Sequence, residues 1–200
     1  MTQAKRVLSI NGSYRDDGIT DQAIEAATDA LRQSGVEVEA VTLRDYPIEF
    51  CLNCRACTQE PGDAPGRCVQ HDGMRDVIAK IELADAYILA APTNFDSVTA
   101  LFKRFMERLV VYAYWPWGAP APKFRKMKLP KKKAMLISSS AAPGFMGRWL
   151  FQSTKQLKMT AKVIGADPVG TLFTGLTAGE PDTRLPRRMR RKALALADKL

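Results

Sequence analysis

The sequence predicts an α/β domain built on a parallel sheet with helices on both faces. Short apolar runs alternate with helical stretches along the chain, the order that right-handed β–α–β crossovers produce. The run Ala84-Asp-Ala-Tyr-Ile-Leu-Ala-Ala-Pro92 is apolar enough for a central parallel strand, buried on both faces. The first unit is an apolar strand, a loop rich in Gly, Ser, Arg and Thr, and a helix that the loop opens. That is a geometry for holding a phosphate, because helix N-terminal N–H groups and the helix dipole both favour an anion there. No internal repeat and no domain boundary is visible, so residues 1–200 are expected to form one domain, long enough to bury a substantial core.

Taken in order, Lys5-Arg-Val-Leu-Ser-Ile10 reads as the first strand. The helix from about Ile19 to Gln33 places Ala23, Ile24, Ala27 and Leu31 at helical spacing, and Gly35 is its expected stop. Val36 to Leu43 alternates and is the second strand. A long loop from Arg44 to about Gln70 carries the cysteines. Asp72 is placed to cap a helix with Met74, Val77, Ile78 and Ile81 that stops near Leu83. After the third strand, Asp96 or Ser97 is expected to cap a helix holding Leu101, Phe102, Phe105, Met106 and Leu109. An aromatic, proline-rich loop over 112–122 and a basic run over 123–133 lead to the fourth strand and its exit, Ala134 to Ser140. A helix from about Phe145 to Met159 follows. Ala161 to Ile164 and Gly170 to Thr174 mark the fifth strand, interrupted around Gly165 to Pro168. The last helix is expected over 182–200, basic outside, with Leu194, Ala195, Ala197 and Leu200 within it.

Composition bounds the function. Apolar residues make up 46% and charged residues 26%, as in soluble globular proteins. Lys5 and Arg6 are followed by only a four-residue apolar run, so no signal peptide is visible. No apolar stretch approaches the roughly 20 residues of a membrane span. A cytoplasmic location is therefore expected. The four cysteines are crowded between positions 51 and 68, which in a reducing compartment reads as metal binding or thiol chemistry. The net charge of +9 suggests anionic ligands. No helix-turn-helix, zinc-finger or RNP signature accompanies it, so no specific nucleic-acid partner is expected. The basic runs 123–133 and 187–192 read as solvated faces, the other reading being contact with a pyridine-nucleotide phosphate or an anionic membrane surface. The lone His71 cannot build a histidine metal site, and no G-x-S-x-G elbow supports a serine hydrolase.

Ligands of open α/β sheets sit at the carboxyl ends of the strands. Three exits here share a chemistry. The first holds Ser13, Arg15, Gly18, Ile19 and Thr20, with hydroxyls, a guanidinium fork and glycines that admit a close backbone. No Lys-Ser/Thr follows Gly18 and no G-x-G-x-x-G is present, which excludes the Walker A loop and the dinucleotide fingerprint. Such a loop suits a monophosphate such as that of FMN; the plain alternative is a βα turn with a polar cap. The second exit, Pro92-Thr93-Asn94-Phe95, offers amide and carbonyl groups and a ring to a flat heteroaromatic edge. The third, Ser138-Ser139-Ser140-Ala141-Ala142-Pro143-Gly144, consists of small residues through which backbone N–H groups can reach a ligand.

These motifs resemble the flavodoxin-like NAD(P)H-dependent FMN reductase family. The resemblance rests on residues 10–20, Cys51-x-x-Cys54-x-x-Cys57 with Cys68, Ala84 to Ala86, Pro92 to Phe95, Lys103 and Arg108, and covers about residues 5–145. The cysteine loop is most similar to that of the family's iron–sulfur flavoproteins. The resemblance implies a three-layer fold with a five-stranded parallel sheet in the order 2-1-3-4-5, FMN at the three loops and NAD(P)H as co-substrate. It also implies a homodimer or homotetramer with the flavin near a subunit interface. Carried over, Ser13, Arg15, Gly18, Ile19 and Thr20 would hold the phosphate. Pro92, Thr93, Asn94 and Phe95 would border the ring, and Ser138, Ser139, Ser140, Ala141 and Gly144 would close its other edge. Ile19 stands where the family commonly has Asn, and His71-Asp-Gly-Met74 replaces its usual Asp-Asp-Met.

The cysteine spacing supports three readings. Cys51, Cys54 and Cys57 resemble the first three ligands of a bacterial ferredoxin, with Cys68 as a fourth thiolate for a [4Fe–4S] cluster. A four-thiolate zinc and plain thiols are the others. The expected function is an FMN-binding NAD(P)H-dependent oxidoreductase that reduces a flavin, a quinone or another small acceptor, with the flavin doing the chemistry and no catalytic side chain required. The alternatives are an iron–sulfur flavoprotein carrying single electrons from a ferredoxin-like donor, and a non-enzymatic redox-sensing module. Aromatic residues 112–117 are expected to cap the flavin or form the subunit contact.

Overall fold

Parallel pairing sets the frame. In the computed structural model, which describes residues 4–144, 150–177, 179 and 182–200, five strands form one sheet. They are β1 (Arg6–Asn11), β2 (Glu37–Thr42), β3 (Ala86–Ala90), β4 (Lys132–Ser139) and β5 (Ala166–Thr174). All pairs are parallel, in the order β2-β1-β3-β4-β5. This is the predicted flavodoxin-like order, with its switch point between β1 and β3. All five residues of β3 are buried, as its unbroken apolar run requires. The register aligns Asn11 with Ala90, and Ala90 with Ile137, so β1, β3 and β4 deliver their exits to the same edge of the sheet.

Five helices of the described residues cover the sheet: α1 (Ile19–Gln33), α2 (Met74–Leu83), α3 (Ala100–Arg108), α4 (Gln152–Val163) and α5 (Arg187–Ala197). One face packs Ala23, Ala27 and Leu31 of α1 and Ala193, Leu196 and Ala197 of α5 on Val7, Ile88 and Ile137. The other packs Val77 and Ile81, Phe102 and Phe105, Leu157 and Ala161 on Leu8, Ile10, Leu89 and Leu136. None of the helices in the described residues is long and apolar enough to cross a membrane.

Four elements differ from the sequence reading. Ala161 to Val163 belong to α4, because Leu157, Thr160, Ala161 and Ile164 continue one buried helical stripe. The strand β5 then runs unbroken through Pro168, with a register shift opposite Ala134 and Met135. An edge strand tolerates proline, since one row of its backbone groups has no ladder partner. The start of the expected helix near Phe145 lies outside the described residues. Neither Asp96 nor Ser97 caps α3. Thr93–Asn94 pairs with Ser97–Val98 in a tight hairpin whose turn residues Phe95 and Asp96 are both left-handed (φ 45° and 65°), and Thr99 caps the helix by accepting from the N–H of Phe102. The last helix begins at Arg187, behind Pro186. Within the basic run, finally, Arg125 is buried and Lys126 pairs with Glu82 at 2.6 Å.

That buried Arg125 organises the cysteine loop. Its guanidinium donates to the carbonyls of Cys57, Glu60, Gly62 and Val111 at 2.9–3.2 Å. Gly66 presses on the same turn; a Cβ there would lie 1.8 Å from the carbonyl oxygen of Cys57. The chain thus returns Cys68 to Cys57 by close backbone contact. A second buried cation, Arg108, donates to Asp72 at 2.5 and 3.1 Å, to the carbonyl of Glu49 and to Sγ of Cys68 at 3.6 Å. Asp72 also accepts from the N–H groups of Met74 and Glu49, so one carboxylate joins α2, α3 and both ends of the loop.

Burial alone would raise the Asp72 pKa, but the Arg108 hydrogen bonds and the two N–H donors hold it below the usual carboxylate value. A depressed folded pKa contributes stability above the unfolded value of about 3.9, and that stability is lost as pH falls through the folded value. Asp72→Asn is expected to cost about 3–5 kcal/mol at neutral pH, by leaving Arg108 buried without its counter-charge. Urea unfolding should show the gap to wild type narrowing as the medium is acidified below about pH 4. Equal stabilities at neutral pH would contradict the anchoring role.

Candidate functional site

The aligned exits enclose a cleft of about 240 Å³ at the carboxyl edge of the sheet. Its floor is the β1–α1 loop. Asn11 orders this loop from inside, donating to Asp21 at 2.7 Å and accepting the Ser13 N–H at 2.9 Å. The Gly12 N–H donates to the Ala90 carbonyl of β3 (2.8 Å), and its own carbonyl accepts from the Thr99 hydroxyl (2.7 Å). A Cβ at Gly12 would lie 2.8 Å from the Phe102 side chain, so this contact requires glycine. Gly18 is the extended residue before α1; it offers no capping side chain, and its own N–H is bonded to the Asp21 carboxylate. Among the described residues no side chain accepts from the N–H groups of Ile19 and Thr20, which line the cleft wall together with Gly18.

Electrostatics favour an anion there. Asp16 is paired with Arg44, and Asp17 with Arg184 at 2.9 Å, which neutralises the two acids of the loop. Arg44 also donates to the Tyr14 carbonyl at 3.2 Å. The first-turn acid, Asp21, is turned to Asn11 and half-buried; burial raises its pKa. Among the described lining residues Arg15 alone is charged.

The other walls come from the second and third exits. Pro92, Thr93 and Asn94 line one side, and Ser139, Ser140 and Ala141 the other. Thr20 and Ser139 hydroxyls meet at 3.1 Å and tie the first exit to the third. Thr93 meets Ser153 at 2.7 Å and Ser138 at 3.3 Å, which ties the second to β4 and α4. The cleft thus collects Ser13, Arg15, Gly18, Ile19, Thr20, Pro92, Thr93, Asn94, Ser139, Ser140 and Ala141. It does not collect Phe95, Ser138 or Gly144. Phe95 stands fully in solvent on its hairpin turn, Ser138 is buried behind the wall, and Gly144 packs against the backbone of Gly175.

Tyr14, Thr99 and Thr177 complete the lining and were missed. Thr177 bonds the Ser140 carbonyl through both N–H (3.2 Å) and hydroxyl (3.0 Å). It follows the exit of β5, so the carboxyl-end rule applied to a fourth strand would have found it. Thr99 was hidden by the cap assignment to Asp96 or Ser97.

The four cysteines line a second concavity, of about 20 Å³, with Arg108, Val110 and Val111 on its wall. Burial pushes the Cys57 thiol up to about 11, and Cys68, Cys51 and Cys54 add to the shift. Cys54 is exposed, while Cys51 and Cys68 are half-buried. The donor set, four thiols around one apolar hollow, fits a thiolate-bound group in kind. The hollow itself has room for about one water, and no three His, Cys, Asp or Glu among the described residues are close enough together to hold a metal ion. Arg55, left-handed at φ 59°, sits between the rings of Trp115 (3.8 Å) and Trp117 (4.4 Å) and fastens the loop to the aromatic segment.

The family model for NADPH-dependent FMN reductase matches residues 5–170. An iron–sulfur flavoprotein of Archaeoglobus fulgidus is 36% identical over 111 residues, covering 56% of this chain and 48% of the relative. One from Methanocaldococcus jannaschii is 32% identical over 103 residues, covering 52% and 51%. The chain spans about half the length of these curated relatives. An FMN-dependent NADH-azoreductase from Bacillus anthracis superposes with a TM-score of 0.71 over 98% of both chains, at 12% identity. An NAD(P)H:quinone oxidoreductase from Methanothermobacter marburgensis does so at 0.61 over 98% and 92%, at 18% identity. At these identities the structural likeness is one of fold. The family model covers most of the chain, including β1 to β4 and the exits that form the cleft, and on that ground the chain belongs to the NADPH-dependent FMN reductase family.

Proposed function

We propose that the chain is an FMN-binding, NAD(P)H-dependent oxidoreductase acting on a small acceptor such as a flavin, a quinone or an azo compound. The observation that carries this reading is the N-terminus of α1, with the N–H groups of Ile19 and Thr20 at a cleft in which Arg15 is the one charged residue among the described lining. A monoester phosphate meets there N–H donors, a helix dipole and a guanidinium, with hydroxyls of Ser13 and Thr20 alongside. Pro92, Thr93 and Asn94 would border the ring, and Ser139, Ser140 and Ala141 its other edge. When bound, FMN supplies the hydride and electron chemistry. The residues of the chain bind it, orient it and exclude water from its buried side.

Phe95, fully exposed, and Trp117, 67% exposed, support a homodimer or homotetramer in which a second copy covers them. Arg15→Ala combined with Thr20→Ala is expected to weaken FMN binding by several kcal/mol, since charge-assisted contacts contribute about 1.5–3 kcal/mol each. Quenching of FMN fluorescence measures this, and an unchanged affinity would remove the phosphate assignment. Wild type loaded with FMN should oxidise NADPH or NADH when a quinone is supplied.

A second reading has its own observation, the four thiols on one hollow, and the similarity to iron–sulfur flavoproteins supports it. Cys51, Cys54, Cys57 and Cys68 would hold a [4Fe–4S] cluster if the loop opened around it. Anaerobic preparation and reconstitution should then give about four iron and four sulfide per chain. Cys54→Ser should lower that content and leave FMN affinity intact. Iron-free wild type after reconstitution would leave the plain flavin reductase.

A further inference from the structure

The first turns of α5 carry Arg187, Arg188, Arg190 and Arg191, all exposed, with no acidic residue in the first turn. No side chain of the four has an ion-pair or hydrogen-bond partner among the described residues. The arrangement opposes local physics. Cations at a helix N-terminus meet the positive end of the dipole, and Arg187 and Arg191, four apart, repel each other along one face. A segment that breaks its own electrostatic rules without internal compensation is a place to look for a ligand that supplies it.

The placement of α5 says which ligand. Its C-terminal end lies at the amino edge of the sheet, where Lys5 bonds the carbonyl of Leu200 and Lys133 that of Lys199 (2.6 Å). Its arginine-bearing end therefore points to the carboxyl edge, the edge of the cleft. The segment just before it is fastened to the phosphate loop. Gln22 donates to the Thr183 carbonyl (3.2 Å) and accepts the Leu185 N–H (2.8 Å), and Arg184 pairs with Asp17. Arg187 follows Arg184 by three residues, a reach of about 10 Å at most.

We propose that this arginine cluster is the subsite for the extra phosphate of NADPH, the 2′-phosphate on its adenosine ribose. The proposal rests on the flavin-reductase reading of the neighbouring cleft. A reduced dinucleotide with its nicotinamide over the cleft extends outward with its adenosine end toward the mouth. A doubly charged phosphomonoester there meets bidentate guanidinium groups and the helix N-terminus together. NADH lacks that group and gains nothing from the cluster, so the cluster sets the choice between the two dinucleotides.

The test uses flavin-free wild-type protein and the variant Arg187→Gln/Arg188→Gln/Arg191→Gln. Calorimetry compares adenosine 2′,5′-bisphosphate with 5′-AMP. Wild type is expected to bind the bisphosphate at least about tenfold more tightly, and the variant to bind the two alike. The variant's thermal midpoint should not fall, because the substitutions remove charge that opposes the helix dipole; this separates loss of a subsite from loss of fold. FMN affinity, titrated separately on both proteins, should be equal. Wild type that treats the two nucleotides alike, or a variant that keeps the discrimination, overturns the proposal. Failure of wild type to take up FMN would instead overturn the reading of the cleft, and the two failures appear in different titrations.

Discussion

The parallel pairing of β3 with β1 and β4 is the constraint from which the rest follows. Because Asn11, Ala90 and Ile137 stand in register, three exits with no sequence similarity leave the sheet side by side. The contacts that shape the cleft are extensions of that register. The Gly12 N–H bonds the last carbonyl of β3, and hydroxyls of Thr20 and Ser139 meet across β1 and β4. A shift of one residue in either pair would turn alternate side chains to the opposite face and separate these groups. Burial of the whole of β3 makes such a shift costly, since both of its faces are committed to a core.

Charge is managed differently at the two concavities. At the cleft the acids are turned outward and neutralised, Asp16 by Arg44 and Asp17 by Arg184, leaving N–H groups, hydroxyls and an exposed Arg15 along its lining. At the cysteine loop the cations are inside. Arg108 and Arg125 are 2% and 6% exposed, and between them they bond five carbonyls, one carboxylate and one thiol. A loop rich in Pro and Gly has little apolar surface with which to hold itself. Buried guanidinium forks, each satisfying several backbone acceptors, take the place of a core there. Such a loop keeps its four cysteines around one hollow while most of its own side chains remain in water.

Much of this was legible in the sequence, and the misses have physical causes. Strand exits 11–20, 92–94 and 139–141 were readable because apolar period and small polar residues mark a carboxyl edge in any parallel sheet. The cap of α3 was not, because a hairpin turn with Phe95 and Asp96 at positive φ carries none of the Gly or Asn that normally announces it. Arg125 stood in a run of lysines and read as solvent-facing; its partners are carbonyls from distant loops, which no local pattern records. Pro168 reads as a break, yet on the outermost strand it leaves only a register shift opposite Ala134 and Met135, and the strand continues. Phe95, expected at the ring edge, is displaced by the same hairpin that hid the cap, and stands in solvent.

The proposed function requires the first turn of α1 to hold a flavin phosphate. Backbone amide NMR of the isotopically labelled protein, titrated with FMN and separately with riboflavin, reports on those N–H groups directly. The amides of Gly18, Ile19, Thr20 and Asp21 should shift strongly with FMN and little with riboflavin, while Thr93, Asn94, Ser140 and Ala141 should respond to both. Equal responses of residues 18–21 to the two flavins, or changes confined to the cysteine loop, would contradict it.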